Sequence, residues 1–159
     1  MLRIINILDR PNIFLYKYLI MRTKIIKKIK TRTDFIEYFK EEEICIKYIT
    51  QIRFKNGKFC PFCGCKKIYI FSNGKIYKCS ECLKKFSIRV GTILENSKIP
   101  LKTWLLGIFL LSTSKNGIAS TQFAHQLQVT QKTAWYMNNR IKSTYKRNKK
   151  IMAKKILHR

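Results

Sequence analysis

At 159 residues the chain is long enough for one ordinary domain or two very small ones, since single cores run to about 100–150 residues, and it reads as two small units. Apolar residues make up 46% and charged residues 26%, a globular balance that excludes an intrinsically disordered chain. Its 34 Lys and Arg against 8 Asp and Glu give a formal charge of +26, which repels itself unless a polyanion screens it, so DNA, RNA or an anionic membrane is the expected counterpart.

Part of the basic excess is compositional, because Lys, Ile and Asn are abundant throughout. No run approaches the about 18 uninterrupted apolar residues of a membrane span; the longest, Trp104 to Leu111, suits a buried helix. Arg10 and Lys17 interrupt the apolar N-terminus and no small-residue cleavage site follows, so no signal peptide is expected. A reducing intracellular setting with the chromosomal DNA, in nucleoid or nucleus, is the expectation.

In chain order, residues 1–30 read as an appendage, apolar to Met21 and then basic through Arg22, Lys24, Lys27, Lys28 and Lys30; Met1 and Met21 both suit a start. Residues 31–57 predict two short helices. The first begins at Thr33, with Asp34 and Glu37 in a first turn that the helix dipole favours and Phe35, Ile36 and Phe39 as its apolar stripe. Glu41, Glu42 and Glu43 open the second, in which Ile44, Cys45, Tyr48, Ile49 and Ile52 recur at helical spacing until Asn56-Gly57 stops it.

Over residues 58–92 the periodicity becomes that of short strands, at 66–71, 75–79 and 84–90, with Asn73-Gly74 as a hairpin signal. Residues 93–147 turn helical again. Pro100 suits a first helical position, Leu101, Trp104, Leu105, Ile108 and Leu111 mark a core face, and Asn116-Gly117 breaks the helix. Ser120 is expected to cap a helix burying Phe123, Ala124 and Leu127, and Thr130 another burying Ala134, Met137 and Ile141. Residues 148–159 are a basic tail. The fold class is α+β: a small helical N-terminal segment, a three-stranded antiparallel ribbon, then a helical domain.

Cys60 and Cys63 form one C-x2-C pair and Cys79 and Cys82 another, fifteen residues apart. Two thiolates from one tight turn occupy two corners of a tetrahedron, and the hairpin brings the second pair alongside, which is zinc-ribbon spacing. Gly64 relieves crowding where backbone amides approach sulfur. Four protein ligands leave no open position, so one structural Zn(2+) is expected and not a catalytic one. Cys65 competes on paper but breaks the paired geometry, and Cys45, on an apolar helical face, reads as buried.

Residues Ser120 to Ile141 have the layout of a helix-turn-helix, with the turn at Gln128-Val129-Thr130 and a second helix from Gln131. Opposite its apolar residues stand Thr130, Gln131, Lys132, Thr133, Tyr136 and Arg140, the expected DNA contacts, with Gln131 and Lys132 foremost because base edges are met near a recognition helix's N-terminus. No Asp or Glu occurs after Glu95, whereas residues 96–159 hold thirteen Lys or Arg, so the field there is purely positive. Trp135 reads as core or as a lever against the preceding helix, and His125 as a surface residue. A plain helical hairpin with a solvated polar face remains open on this pattern alone.

With these residues in hand, the chain from about Phe35 to Lys142 resembles the N-terminal part of insertion-sequence transposases that carry a zinc ribbon, a helix-turn-helix and then an acidic-triad nuclease domain. The stretches that carry it are Glu41-Glu42-Glu43-Ile44-Cys45, Arg53-Phe54-Lys55-Asn56-Gly57, Phe59-Cys60-Pro61-Phe62-Cys63-Gly64, residues 84–92, Ser97-Lys98-Ile99-Pro100-Leu101 and Thr130-Gln131-Lys132-Thr133-Ala134-Trp135. The resemblance implies double-stranded DNA as partner, specifically the element's terminal inverted repeats. The family's two-metal strand-transfer chemistry needs converging carboxylates, and the eighteen acid-free residues after Ile141 do not provide them, so the chain is expected to be a truncated, non-catalytic DNA binder. Two other readings stay open: a zinc ribbon that docks on protein, and a basic nucleic-acid binder without sequence preference.

Overall fold

The computed structural model describes residues 28–71, 74–114 and 116–157, and side chains as far as Thr144. The appendage before Lys28, Asn73 of the hairpin signal and the last two residues of the tail therefore lie outside the described residues. The observed order is α1 (Arg32–Tyr38), α2 (Glu42–Arg53), β1 (Ile68–Phe71), β2 (Ile76–Cys79), β3 (Lys85–Ser87), α3 (Leu101–Thr113), α4 (Ser120–Leu127) and α5 (Gln131–Leu157). The chain is α+β, as expected.

Helix α1 starts earlier than Thr33 because Thr31 closes a reciprocal cap: its hydroxyl accepts the Asp34 N–H at 3.1 Å and the Asp34 carboxylate accepts the Thr31 N–H at 3.0 Å. The side-chain bond with Thr31, then the N–H groups of Thr31 and Lys30, hold the Asp34 carboxyl below its usual range. Glu37 consequently falls beyond the first turn. Phe35 and Phe39 are fully buried one turn apart, while Ile36 is exposed and leaves the predicted stripe.

Two further starts differ from expectation. Pro100 stands one residue before α3, its extended ψ of 146° keeping it outside the helix while its carbonyl accepts the Trp104 N–H. No local side chain caps α3; Glu42 of α2 does so from a distance, its Oε1 accepting the Leu101 N–H at 3.5 Å and lying 3.6 Å from the Arg89 guanidinium. Likewise Ala119, not Ser120, is the cap position of α4, and Ser120 is already helical with no side-chain cap. Thr130 does cap α5, its hydroxyl accepting the Thr133 N–H at 3.3 Å.

The sheet is antiparallel throughout, in the order β1-β2-β3. Register pairs Ile70 with Tyr77 and Tyr77 with Phe86, and, on the other face, Tyr69 with Lys78 and Lys78 with Lys85. Tyr77 stacks on Phe86 at 5.6 Å, meets Phe54, just past the end of α2, edge-on at 5.5 Å and places its hydroxyl 3.3 Å from that of Thr50. All three strands are shorter than predicted. The third stops at Ser87 because the carbonyls of Ile88 and Val90 are taken by one guanidinium nitrogen of Arg53, each at 2.7 Å, and are lost to the ladder.

Buried side chains from Ile29 to Ile141 form one continuous cluster, so the two units share a core. Helix α3 is its axis: Phe109 stacks on Phe35 of α1 at 5.3 Å, and at Gly107 a Cβ would lie 3.1 Å from Phe123 and 3.2 Å from Met137. Glycine there lets the α4–α5 pair approach closely. No helix among the described residues is long and apolar enough to cross a membrane.

Candidate metal centre and nucleic-acid interface

Cys60 and Cys63 sit in the turn before β1, Cys79 ends β2 and Cys82 lies in the β2–β3 connection. The hairpin brings their Sγ atoms within 4.8 Å of one another, and among the described residues this is the one cluster of three or more His, Cys, Asp or Glu able to hold an ion. Cys60 and Cys82 approach to 3.6 Å, Cys63 and Cys79 to 3.4 Å. A tetrahedron with Zn–S near 2.3 Å requires sulfurs about 3.8 Å apart, whereas a disulfide needs about 2.05 Å. All four thiols are free, and the donor set fits one structural zinc ion.

The two knuckles are built alike. Cys60 N–H donates to the Cys65 carbonyl at 2.8 Å and Cys79 N–H to that of Lys84 at 3.1 Å, the same five-residue closure. Each needs a left-handed residue after its second cysteine, supplied by Gly64 at φ 80° and by Leu83 at φ 58°. Burial pushes the Cys60 thiol up to about 12, so it is a cation that makes the thiolate stable there.

Leu83 is 62% exposed, so its side chain contributes little packing to set against the strain of that backbone. Leu83→Gly is expected to raise the stability of the zinc-loaded protein by about 0.5–1 kcal/mol. A thermal melt with no upward shift would remove the strain argument.

Cys65 stays outside the cluster, its Sγ accepting the Lys67 N–H at 3.3 Å and lying 3.6 Å from the Ser80 hydroxyl. Cys45 is fully buried, and burial, then Glu42, raises its thiol to about 11. Neither is placed to join the metal.

Helices α4 and α5 pack through Phe123, Ala124, Leu127, Ala134, Met137 and Ile141, all buried. Gln128, left-handed at φ 54°, turns the chain between them. Gln131 and Lys132 are exposed at the start of α5. Thr130 and Thr133 share a hydroxyl contact of 2.9 Å. Tyr136 meets Trp104 of α3 edge-on at 6.2 Å, and the Arg140 guanidinium donates to its hydroxyl and lies over its ring. Those two residues thus form a braced pair flanking the exposed start of the helix.

Trp135 was not expected on this surface, yet it is 61% exposed beside Gln131 and Lys132. The helical phase that buries Ala134, Met137 and Ile141 turns it outward, a signal present in the spacing but outweighed by the usual preference of tryptophan for cores. Asn139 and Lys142 continue the same exposed face.

Residues 40–85 match a family described as the transposase zinc-ribbon domain. The matched segment takes in α2, whose Thr50 and Arg53, with Phe54 just after it, pack against the sheet and its continuation. A protein of Halobacterium salinarum (strain ATCC 700922 / JCM 11081 / NRC-1), described as an uncharacterized protein in transposable element ISH50, is 26% identical over 103 residues, covering 63% of this chain and 34% of that protein. The chain thus spans about a third of the length of that curated relative. No solved structure matches.

Proposed function

We propose that this chain, a transposase-type zinc ribbon joined to a helix-turn-helix, reads double-stranded DNA by laying the start of α5 in the major groove. The carrying observation is the exposed row of Gln131, Lys132 and Trp135 at that helix N-terminus, with Phe123, Ala124, Leu127, Ala134, Met137 and Ile141 buried behind it. Gln131 pairs with adenine edges, Lys132 with guanine edges or phosphate, and the indole with thymine methyls. Thr130 and Thr133 reach phosphates, as does Arg140, which Tyr136 braces. The acid-free stretch beyond Glu95 supplies the attraction.

Zinc in this reading is a fold element, and the ends of a mobile element are the natural DNA target, which places the chain with the chromosomal DNA. We assign strand cleavage to none of the described residues: Asp34 caps α1, Glu42 caps α3, and the other described acids do not converge.

The test is selection from a random duplex pool at two salt concentrations. Enrichment of one motif is expected, and Gln131→Ala with Lys132→Ala is expected to weaken that motif by roughly 10-fold to 1000-fold while its affinity for arbitrary duplex changes far less. Salt-sensitive binding with no enriched motif would reduce the chain to a non-specific binder; sequence-selective binding that survives the double substitution would move recognition off α5.

A further inference from the structure

The sheet has a second face that the duplex reading does not use. Register places Tyr69, Phe71, Ile76, Lys78, Lys85 and Ser87 together on it, opposite the face that Tyr77 and Phe86 pack against α2. Tyr69 is 50% exposed, Phe71 46% and Ile76 40%. Neither Tyr69 nor Phe71 packs on another aromatic ring among the described residues. The aromatics stand two residues apart on one strand, hence roughly 7 Å along it, with Lys78 on the adjacent strand β2, Lys85 on β3 beyond it, and exposed Lys67 and Lys75 at the margins of the face. No acid occupies any of the six positions.

We infer that this face is a second nucleic-acid site, a stacking platform for unpaired bases of single-stranded DNA. Flat rings exposed at strand spacing offer π-faces to successive bases, and the flanking lysines meet the phosphates between them. A duplex cannot use such a surface, because its bases are already stacked and its edges alone are offered in the grooves. A protein partner would bury the rings equally well, but would have to bring anionic groups opposite Lys78 and Lys85; a nucleic-acid strand carries one at every step. The choice of DNA over RNA rests on the duplex-DNA reading of α5, whereas the stacking geometry stands without it.

The test uses the full zinc-loaded chain and fluorescence anisotropy with labelled oligothymidine of about 16 nucleotides, an oligouridine of equal length, and the selected duplex. Tyr69→Ala with Phe71→Ala is expected to weaken oligothymidine binding ten-fold or more with zinc content and duplex affinity unchanged. Tyr69→Phe with Phe71→Tyr, which keeps both rings, is expected to bind like the parent. Gln131→Ala with Lys132→Ala is expected to do the reverse, losing duplex selectivity and keeping oligothymidine. That last pair separates the two ideas, since an α5 that reads nothing leaves the ring dependence measurable. The inference is overturned by oligothymidine binding indifferent to loss of both rings, by tighter binding of oligouridine, or by a parent protein that is a dimer and becomes a monomer when the rings are removed.

Discussion

Chelation of the zinc-loaded protein is expected to abolish the three-stranded sheet and leave most of the α3–α5 helical signal. The sheet has strands of four, four and three residues, and one of its faces is largely exposed. So small a unit cannot offset its own conformational entropy. Metal binding of this kind contributes about 10–16 kcal/mol in isolated zinc fingers, far beyond what Tyr77, Phe86 and Ile88 add by burial. Cys63→Ser should act like the chelator. Apparent zinc affinity should fall on acidification, since zinc must displace protons from the thiols and burial already favours the protonated form at Cys60. Circular dichroism and amide exchange with and without metal test this; an unaltered sheet in the metal-free protein would refute it.

Arg53→Ala ranks second. Arg53 is buried, with 7% of the residue exposed, and one of its guanidinium nitrogens holds two carbonyls, of Ile88 and Val90, at 2.7 Å. It also lies over the rings of Phe54, Phe59 and Phe86 at 5.4–5.9 Å. Truncation leaves both carbonyls without that donor and opens a void among three rings. Hydrogen bonds to a charged group contribute about 1.5–3 kcal/mol each, so a loss of about 3–5 kcal/mol is expected. Arg53→Lys should recover only part of it, because a compact ammonium without the planar fork cannot keep both the carbonyl contacts and the flat contact with the rings. Denaturant unfolding in saturating zinc reads the difference, and a change below about 1 kcal/mol would mean that β3 is held by something else.

The metal centre was legible because its chemistry is local: a C-x2-C pair fixes two ligands within one turn, and Asn73-Gly74 announced the hairpin between the pairs. Helix identity was equally plain wherever apolar spacing repeated over three turns, as in α3. Helix starts were not, because they depend on partners far along the chain. Nothing near Leu101 reveals that Glu42 will cap it, and nothing near Ser87 reveals that Arg53 will end the strand. Trp135 was misplaced for another reason: a residue's average preference competed with its helical phase, and the phase won. Average preference would send the aromatic residues of the sheet to the core. Alternation divides them instead, Tyr77 inward and Tyr69 and Phe71 outward.

The Glu42 bond to Leu101 spans 59 residues of chain. Contacts of such sequence separation form late, after shorter loops have closed. Helices α4 and α5, joined by a three-residue turn, can assemble early and locally. The start of α3 must wait until α2 has docked and Arg89, which also holds the carbonyls of Ser97 and Ile99, has been set by the end of the ribbon. Contact separation therefore sets an order: the metal-bearing hairpin and the α4–α5 pair form locally, and the seam at the start of α3 closes after them.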